Sequence, residues 1–253
     1  MPDELTQPHD YRVLLEACPG LTIVGGQAVN VWAITYLDPE HTHLAGFGSR
    51  DLDVLARTNV AEIIAALPGW HHKKPPLWAF NDSRMLTLMS KSEDGRPLVV
   101  EVLSSVHGLD PEDLNAIVPI EQDGITYRLL DPVAMLKAKA ANVRTIDQVG
   151  PPPRQDREHL QIISQCVPFF LHDAHEQAVA NIKLHDAFSK TLSRTFKTLS
   201  HSHTLKTLLQ EGIAPVPLVP AELRNSPIEK IKTGCRHQLP RLEELIKKTE
   251  NRP

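Results

Sequence analysis

No apolar run in the chain approaches the roughly 18 residues that a membrane-spanning helix needs. The opening segment MPDELTQPHD is acidic and polar, unlike a signal peptide. A cytoplasmic location without membrane contact is the default expectation. Cysteine is scarce: Cys18, Cys166 and Cys235 form no C-x-x-C pair, which argues against structural zinc, and an odd, scattered set suits a reducing compartment. Cys18 has no companion base nearby in sequence, so a thiol nucleophile lacks support. The thirteen histidines offer no ligand spacing either; His71-His72 and His201-Ser202-His203 are read as surface positions. No internal repeat is visible, and the net charge of −4 argues against a generic nucleic-acid coat.

What is present is an ordinary globular composition, 41% hydrophobic and 23% charged over 253 residues, enough for one large or two small domains. The charge is unevenly spread. Residues 181 to 253 hold 13 Lys and Arg against 7 Asp and Glu, which leaves 14 against 24 in the preceding 180. A basic C-terminal third is either a set of solvated helix faces or a surface for a polyanionic partner.

Strand signals are dense before residue 131 and sparse afterwards. YRVLLEAC reads as a helix stopped by Pro19 and Gly20, and LTIVGG as a short strand running into a helix over QAVNVWAITYL, with Trp32 on its apolar face. LDVLA is a second strand and AEIIAAL a helix. RMLTLMS and PLVVEVLSS flank an Asp94-Gly95 turn as an antiparallel hairpin, and GITYRLL is one more strand. Beyond Pro132, VAMLKAKAANVRTI, DREHLQIISQCVPFFL and TLSRTFKTLSHSHTLKTLLQ are helical patterns. GPPPRQ is a stiff link and APVPLVP an extended, non-helical connector. The expected fold class is α/β (α+β), a mixed-sheet unit over residues 1–130 followed by a helical unit over 131–253.

Two short stretches carry chemistry. Glycines at a strand-to-helix junction, Gly25 and Gly26, either permit a tight turn or let backbone amides approach a phosphate at the helix N-terminus. In GSRDLDVLAR, Asp51 and Asp53 stand at i and i+2 on one face of a strand while Leu52 and Val54 point to the core. Paired carboxylates repel unless a cation lies between them, and Mg²⁺ favours one or two carboxylates plus phosphate oxygens. Glu101 interrupts the apolar strand PLVVEVLSS. It either faces solvent from an edge strand or, if that strand lies beside LDVLA, joins Asp51 and Asp53 as a third acid.

V-G-G-x-A-x-x-x-W, followed by D-L-D-V and a later acidic strand residue, resembles the nucleotidyltransferase superfamily, whose fold is the DNA polymerase β palm. The long glycine-to-acid gap is similar to that of bacterial abortive-infection nucleotidyltransferases of the AbiEii type and of small antibiotic nucleotidyltransferases. Phe47 and Ser49 stand where these commonly carry arginine and threonine. The resemblance implies Mg²⁺-dependent transfer of a nucleoside monophosphate from NTP to a hydroxyl of an RNA, a protein or a small molecule. It implies Asp51, Asp53 and Glu101 as metal-binding and catalytic acids, and Gly25, Gly26 and Ser49 as the nucleotide cradle. LLDPVAMLKAKAANVR is similar to the helix that follows the palm in these proteins, and the resemblance implies Lys139 as the lysine facing the triphosphate, with Lys137 as fallback, since two residues at i and i+2 on a helix cannot both face one site. RQDREHLQII resembles the R-x-D-x-x-H-L segment of related helical subdomains, which implies that Asp156 orders the helix packing. tRNA or a partner protein is the expected partner, and a non-catalytic nucleotide-binding or toxin-antitoxin protein is the rival reading.

Overall fold

The computed structural model describes residues 6, 8–37, 49, 51–56, 63, 66–74, 83–91, 95–122, 124–146 and 154–251. The expected helix over AEIIAAL lies mostly outside these residues, as do the polar loop beginning at Asp38, the tip of the hairpin turn and most of GPPPRQ. The chain divides into two compact units, Met1–Ala138 and Lys139–Pro253.

The first unit holds a seven-stranded mixed sheet in the order β3-β4-β5-β2-β1-β7-β6. Its strands are β1 (Thr22–Val24), β2 (Leu52–Leu55), β3 (His71–Lys73), β4 (Arg84–Lys91), β5 (Pro97–Leu103), β6 (Ile117–Gln122) and β7 (Ile125–Leu130). The anticipated hairpin is β4–β5, paired antiparallel from Lys91 with Pro97 to Arg84 with Leu103, and Gly95 takes a φ of +84° that favours glycine. Most neighbours are antiparallel, but β1 runs parallel to β7 and β2 parallel to β5. Two strands escape a sequence reading for physical reasons. β3 is three exposed residues at one edge, with no buried face to impose alternation. β6 contains Pro119, which is tolerated because β6 is the opposite edge.

Helix α1 (Arg12–Ala17) buries Leu14 and Leu15. Helix α2 (Gly25–Tyr36) is buried on all sides from Gly26 to Ala33, so its apolar content is that of a core helix rather than an amphipathic one. Trp32 is fully buried, as its helical position implied. Its indole N–H donates to the Leu130 carbonyl at 2.8 Å and its ring stacks on Tyr36. A short α3 (Pro111–Leu114) carries a reciprocal capping box between Asp110 and Asp113. The same two carboxylates take the Lys137 ammonium at 2.8 and 2.6 Å.

Helix α4 (Pro132–Thr145) contributes its first residues to one unit and, from Lys139, the remainder to the other. The second unit continues with α5 (Asp156–Ala180), α6 (His185–Ser200), α7 (Ser202–Gln210) and α8 (Glu229–Glu250). Helices α5 and α8 run through Pro168 and Pro240, each giving up the backbone hydrogen bond that proline cannot donate. The amphipathic run TLSRTFKTLSHSHTLKTLLQ is two helices, not one, because His201 takes extended backbone (φ −67°, ψ 124°) between them. The connector APVPLVP is not fully extended: Val216–Leu218 makes a 3-10 turn, which proline's fixed φ accommodates at its start.

Candidate metal centre

Strand β2 alternates buried and half-exposed residues, with Leu52 and Val54 in the core and Asp53 on the opposite face. Asp51, one pleat period earlier, lies just before the strand. The sheet register does the rest. Parallel pairing sets Asp53 beside Glu101 of β5, and antiparallel pairing sets it beside Val24 of β1, the residue before the glycine pair. Carboxylate oxygens of Asp51, Asp53 and Glu101 all lie within 4.8 Å of one another, each residue half-buried. Glu101 therefore does not point to a separate solvent face. It shares a site with the two aspartates.

Gly25 completes one wall. Its φ is +67°, and a Cβ built on it would fall 1.9 Å from Asp53 Oδ2 and 2.8 Å from Asp53 Cβ and Cγ. The carboxylate occupies the space a side chain would fill, so the glycine is required by the acid as well as by the backbone. Gly26 is buried in the first turn of α2.

A polar network missed in the sequence braces this region. The Gln27 amide nitrogen donates to the Thr6 carbonyl at 2.8 Å and to Thr6 Oγ1 at 3.0 Å. Thr6 Oγ1 donates to the Ser49 carbonyl at 2.7 Å and lies 3.0 Å from Tyr11 Oη. Tyr11 Oη donates to the Val99 carbonyl at 3.2 Å, two residues before Glu101. Thr6 and Ser49 also exchange backbone hydrogen bonds as an isolated antiparallel bridge. The Ser49 hydroxyl donates to Asp51 Oδ1 at 3.3 Å. Burial, with a smaller push from the Asp51 charge, raises the Tyr11 phenol to about 12, so it remains a neutral donor. Nothing in the local sequence announces the network, because Tyr11 and Val99 are 88 residues apart.

Two further features bear on the site's chemistry. The Arg84 guanidinium contacts Glu101 Oε1 at 3.0 Å, and both side chains keep some exposure. Lys139, expected to face a triphosphate, is instead buried with its ammonium 2.9 Å from Asp156 Oδ1. Asp156, at the start of α5, also accepts from Asn142 at 3.1 Å and Arg154 at 2.6 Å. Burial alone would raise its pKa, but the Lys139 charge and these hydrogen bonds hold it well below the usual carboxylate range. Lys139 and Asp156 are thus one buried ion pair joining α4 to α5. The fallback, Lys137, is committed to Asp110 and Asp113.

Three hard oxygen donors converging on one point fit a divalent cation such as Mg²⁺, which takes carboxylate ligands and retains positions for water or phosphate. Among the described residues this is the one cluster of metal-ligating side chains, and none of the histidines joins it.

No protein-family model matches the chain, and no curated protein matches it. Among solved structures, an antigenic nucleotidyltransferase-like protein from Paracoccidioides brasiliensis is similar at 14% identity and a TM-score of 0.42, over 66% of this chain and 79% of that one. The Megavirus polyadenylate synthase is similar at 13% identity and a TM-score of 0.39, over 92% of this chain. The match spans about half, 51%, of the synthase's own length.

Proposed function

We infer that the protein is a Mg²⁺-dependent nucleotidyltransferase. The single observation that carries this reading is the convergence of Asp51, Asp53 and Glu101 within 4.8 Å, beside a strand-to-helix glycine whose missing side chain makes room for Asp53. Asp51, Asp53 and Glu101 would hold the metal. Bound there, a divalent cation supplies charge neutralisation for a triphosphate and acidifies an attacking hydroxyl.

The chain's own groups supply the rest. In the proposed reaction the acceptor oxygen forms a bond to the α-phosphorus of an NTP, the bond to the β-phosphate breaks, pyrophosphate leaves, and the hydroxyl proton passes to Glu101. The first-turn amides of α2, from Gly25 and Gly26 onward, form the anion-binding end of the nucleotide site. Ser49 acts through Asp51, fixing its carboxylate by the hydroxyl hydrogen bond. Lys139 is left out of the cradle because its ammonium is already spent on Asp156. RNA or a partner protein suits the basic C-terminal third better than a small-molecule acceptor.

A second reading, a non-catalytic nucleotide-binding protein or one half of a toxin-antitoxin pair, draws on one observation. Arg84 already supplies a positive charge to Glu101, as a substitute for a metal would.

Transfer of radiolabel from each of the four NTPs, with Mg²⁺, to total tRNA and separately to the protein itself distinguishes the two. Asp53→Asn keeps side-chain size and removes one metal-binding charge, and should lower the rate a hundredfold or more, about 3 kcal/mol of transition-state stabilisation. Its melting temperature should hold or rise, since the apo carboxylates repel. Wild type that binds NTP yet labels neither acceptor supports the second reading.

A further inference from the structure

Sheet register decides where Arg84 points. In β5, Leu98, Val100 and Val102 are buried, while Val99, Glu101 and Leu103 stay half-exposed on the other face. In β4 the buried residues are Leu86 and Leu88, paired with Val102 and Val100. Continued without interruption, that register would bring Met85 opposite Leu103 and turn Arg84 to the core face with Leu86. The register shifts instead between Arg84 and Leu86, and it is Arg84 that pairs with Leu103. Met85 is the extra residue of a bulge, and the one-residue slip moves Arg84 to the face that carries Glu101. Pairing continues past the bulge: the Ser83 carbonyl accepts from the Ser104 amide at 2.8 Å and from its hydroxyl at 3.1 Å. Arg84 is therefore fixed from both sides.

The re-aimed guanidinium donates to Glu101 Oε1 at 3.0 Å. Stability does not account for this arrangement. The Arg84 side chain is 46% exposed and that of Glu101 24%, and an ion pair so open to water adds little. The acid cluster does account for it. Three carboxylates within 4.8 Å of one another repel when ionised, and a cation delivered to Glu101 offsets the repulsion. Exposure also makes the offset reversible, because a divalent ion with several oxygen donors to bind competes for Glu101 against a solvent-open guanidinium.

We propose that Arg84 is the exchangeable counter-ion of the acid cluster: it neutralises Glu101 while no metal is bound, yields it when a divalent ion loads, and so lowers the affinity for a bare ion. The proposal rests on the metal-centre reading above and adds its regulation. An ion that arrives with a triphosphate brings negative charge that offsets Arg84, so loading with nucleotide is favoured over loading with metal alone.

The test uses the full chain, with Mn²⁺ binding followed by electron paramagnetic resonance and melting followed in EDTA and at saturating Mn²⁺. Arg84→Met keeps an aliphatic stem and removes the charge. It should bind Mn²⁺ about tenfold more tightly, the effect of a unit charge on a divalent ion a few ångströms away through water. By linkage it should melt below wild type in EDTA and recover that difference at saturating Mn²⁺. The complex of Mn²⁺ with inorganic tripolyphosphate should show no such gain. In wild type, the guanidinium nitrogen resonance of Arg84, assigned by its loss in Arg84→Met, should move to a solvent-exposed position as Mg²⁺ is added. Should Arg84→Met misfold, Arg84→Gln carries the same measurements. Mn²⁺ affinity equal to or weaker than that of wild type overturns the proposal, since Arg84 would then only orient Glu101. A resonance unmoved at saturating Mg²⁺ overturns the exchange, and an equal gain for the tripolyphosphate complex overturns the regulation. Absence of Mn²⁺ binding in wild type and variants alike fells the metal centre itself, whereas binding that is present but unchanged by the substitution fells this proposal alone.

Discussion

Replacing Gly25 with alanine adds one methyl group, and the geometry states what that methyl meets. At φ +67° an alanine carries the left-handed penalty, about 1 to 2 kcal/mol. The new Cβ would also stand 1.9 Å from Asp53 Oδ2 and 2.8 Å from Asp53 Cβ. The first clash can be relieved by rotating the carboxylate. The second cannot, because Asp53 Cβ is set by a strand held in register on both sides, to Val24 and to Glu101. Relief therefore means shifting the start of α2 or turning Asp53 away from Asp51 and Glu101. We expect a total destabilisation of about 2 to 3 kcal/mol, a fall in melting temperature of about 5 to 10 °C, and Mn²⁺ affinity lowered at least tenfold, roughly the loss of one ligand's contribution. The assay is thermal melting together with Mn²⁺ binding followed by electron paramagnetic resonance. Gly20→Ala serves as control, since a Cβ there meets nothing within 4 Å and its φ carries no penalty. If Gly25→Ala melts and binds Mn²⁺ as Gly20→Ala does, the claim that this glycine exists to admit Asp53 is wrong.

Three other perturbations follow from the same contacts. Lys139→Met leaves the Asp156 carboxylate buried with only Arg154 and Asn142, and should cost about 3 to 5 kcal/mol in urea titration; loss of NTP affinity with stability intact would return Lys139 to a triphosphate role. Burial, aided by the Lys139 charge, pushes His159 down to about 3, so from pH 6.5 towards 3 the unfolded chain takes up a proton that the folded site refuses. Stability should therefore fall with acid by up to about 1.4 kcal/mol per pH unit, and His159→Gln should flatten the melting profile between pH 6 and 4.5, above the range where Asp156 begins to titrate in the unfolded chain. His175, also pushed down by burial, accounts for some of the remaining slope. Tyr11→Phe removes the hydroxyl that joins Thr6 to the Val99 carbonyl and should cost about 1 to 2 kcal/mol by chemical denaturation; an unchanged midpoint would show that the network does not brace the site.

The amino-acid sequence determined by itself those features whose causes are local. A glycine pair after an apolar strand specifies a strand-to-helix junction, and β1 does run directly into α2 at Gly25. Alternation in LDVL sets Leu52 and Val54 inward and sends Asp53 to the other face, and the Asp94-Gly95 turn marks the β4–β5 hairpin. The division into a sheet-rich first part and a helical second part was likewise legible, because the period of the hydrophobic pattern changes after Pro132. What tertiary structure alone decided is everything that depends on which strands become neighbours. Glu101 in PLVVEVLSS has the same local pattern whether it faces solvent or metal. Only the parallel pairing of β2 with β5, which joins segments about 50 residues apart, sets it beside Asp53. The fate of Lys139 is the same lesson reversed: helical spacing could tell it from Lys137, but the carboxylate it meets, Asp156, lies on another helix 17 residues away. Edge strands β3 and β6 were invisible because a strand with no fully buried face need not alternate, and its register is supplied by its partner. Long-range pairing is an energetic property of the whole sheet, so no window of sequence short enough to read by eye contains it.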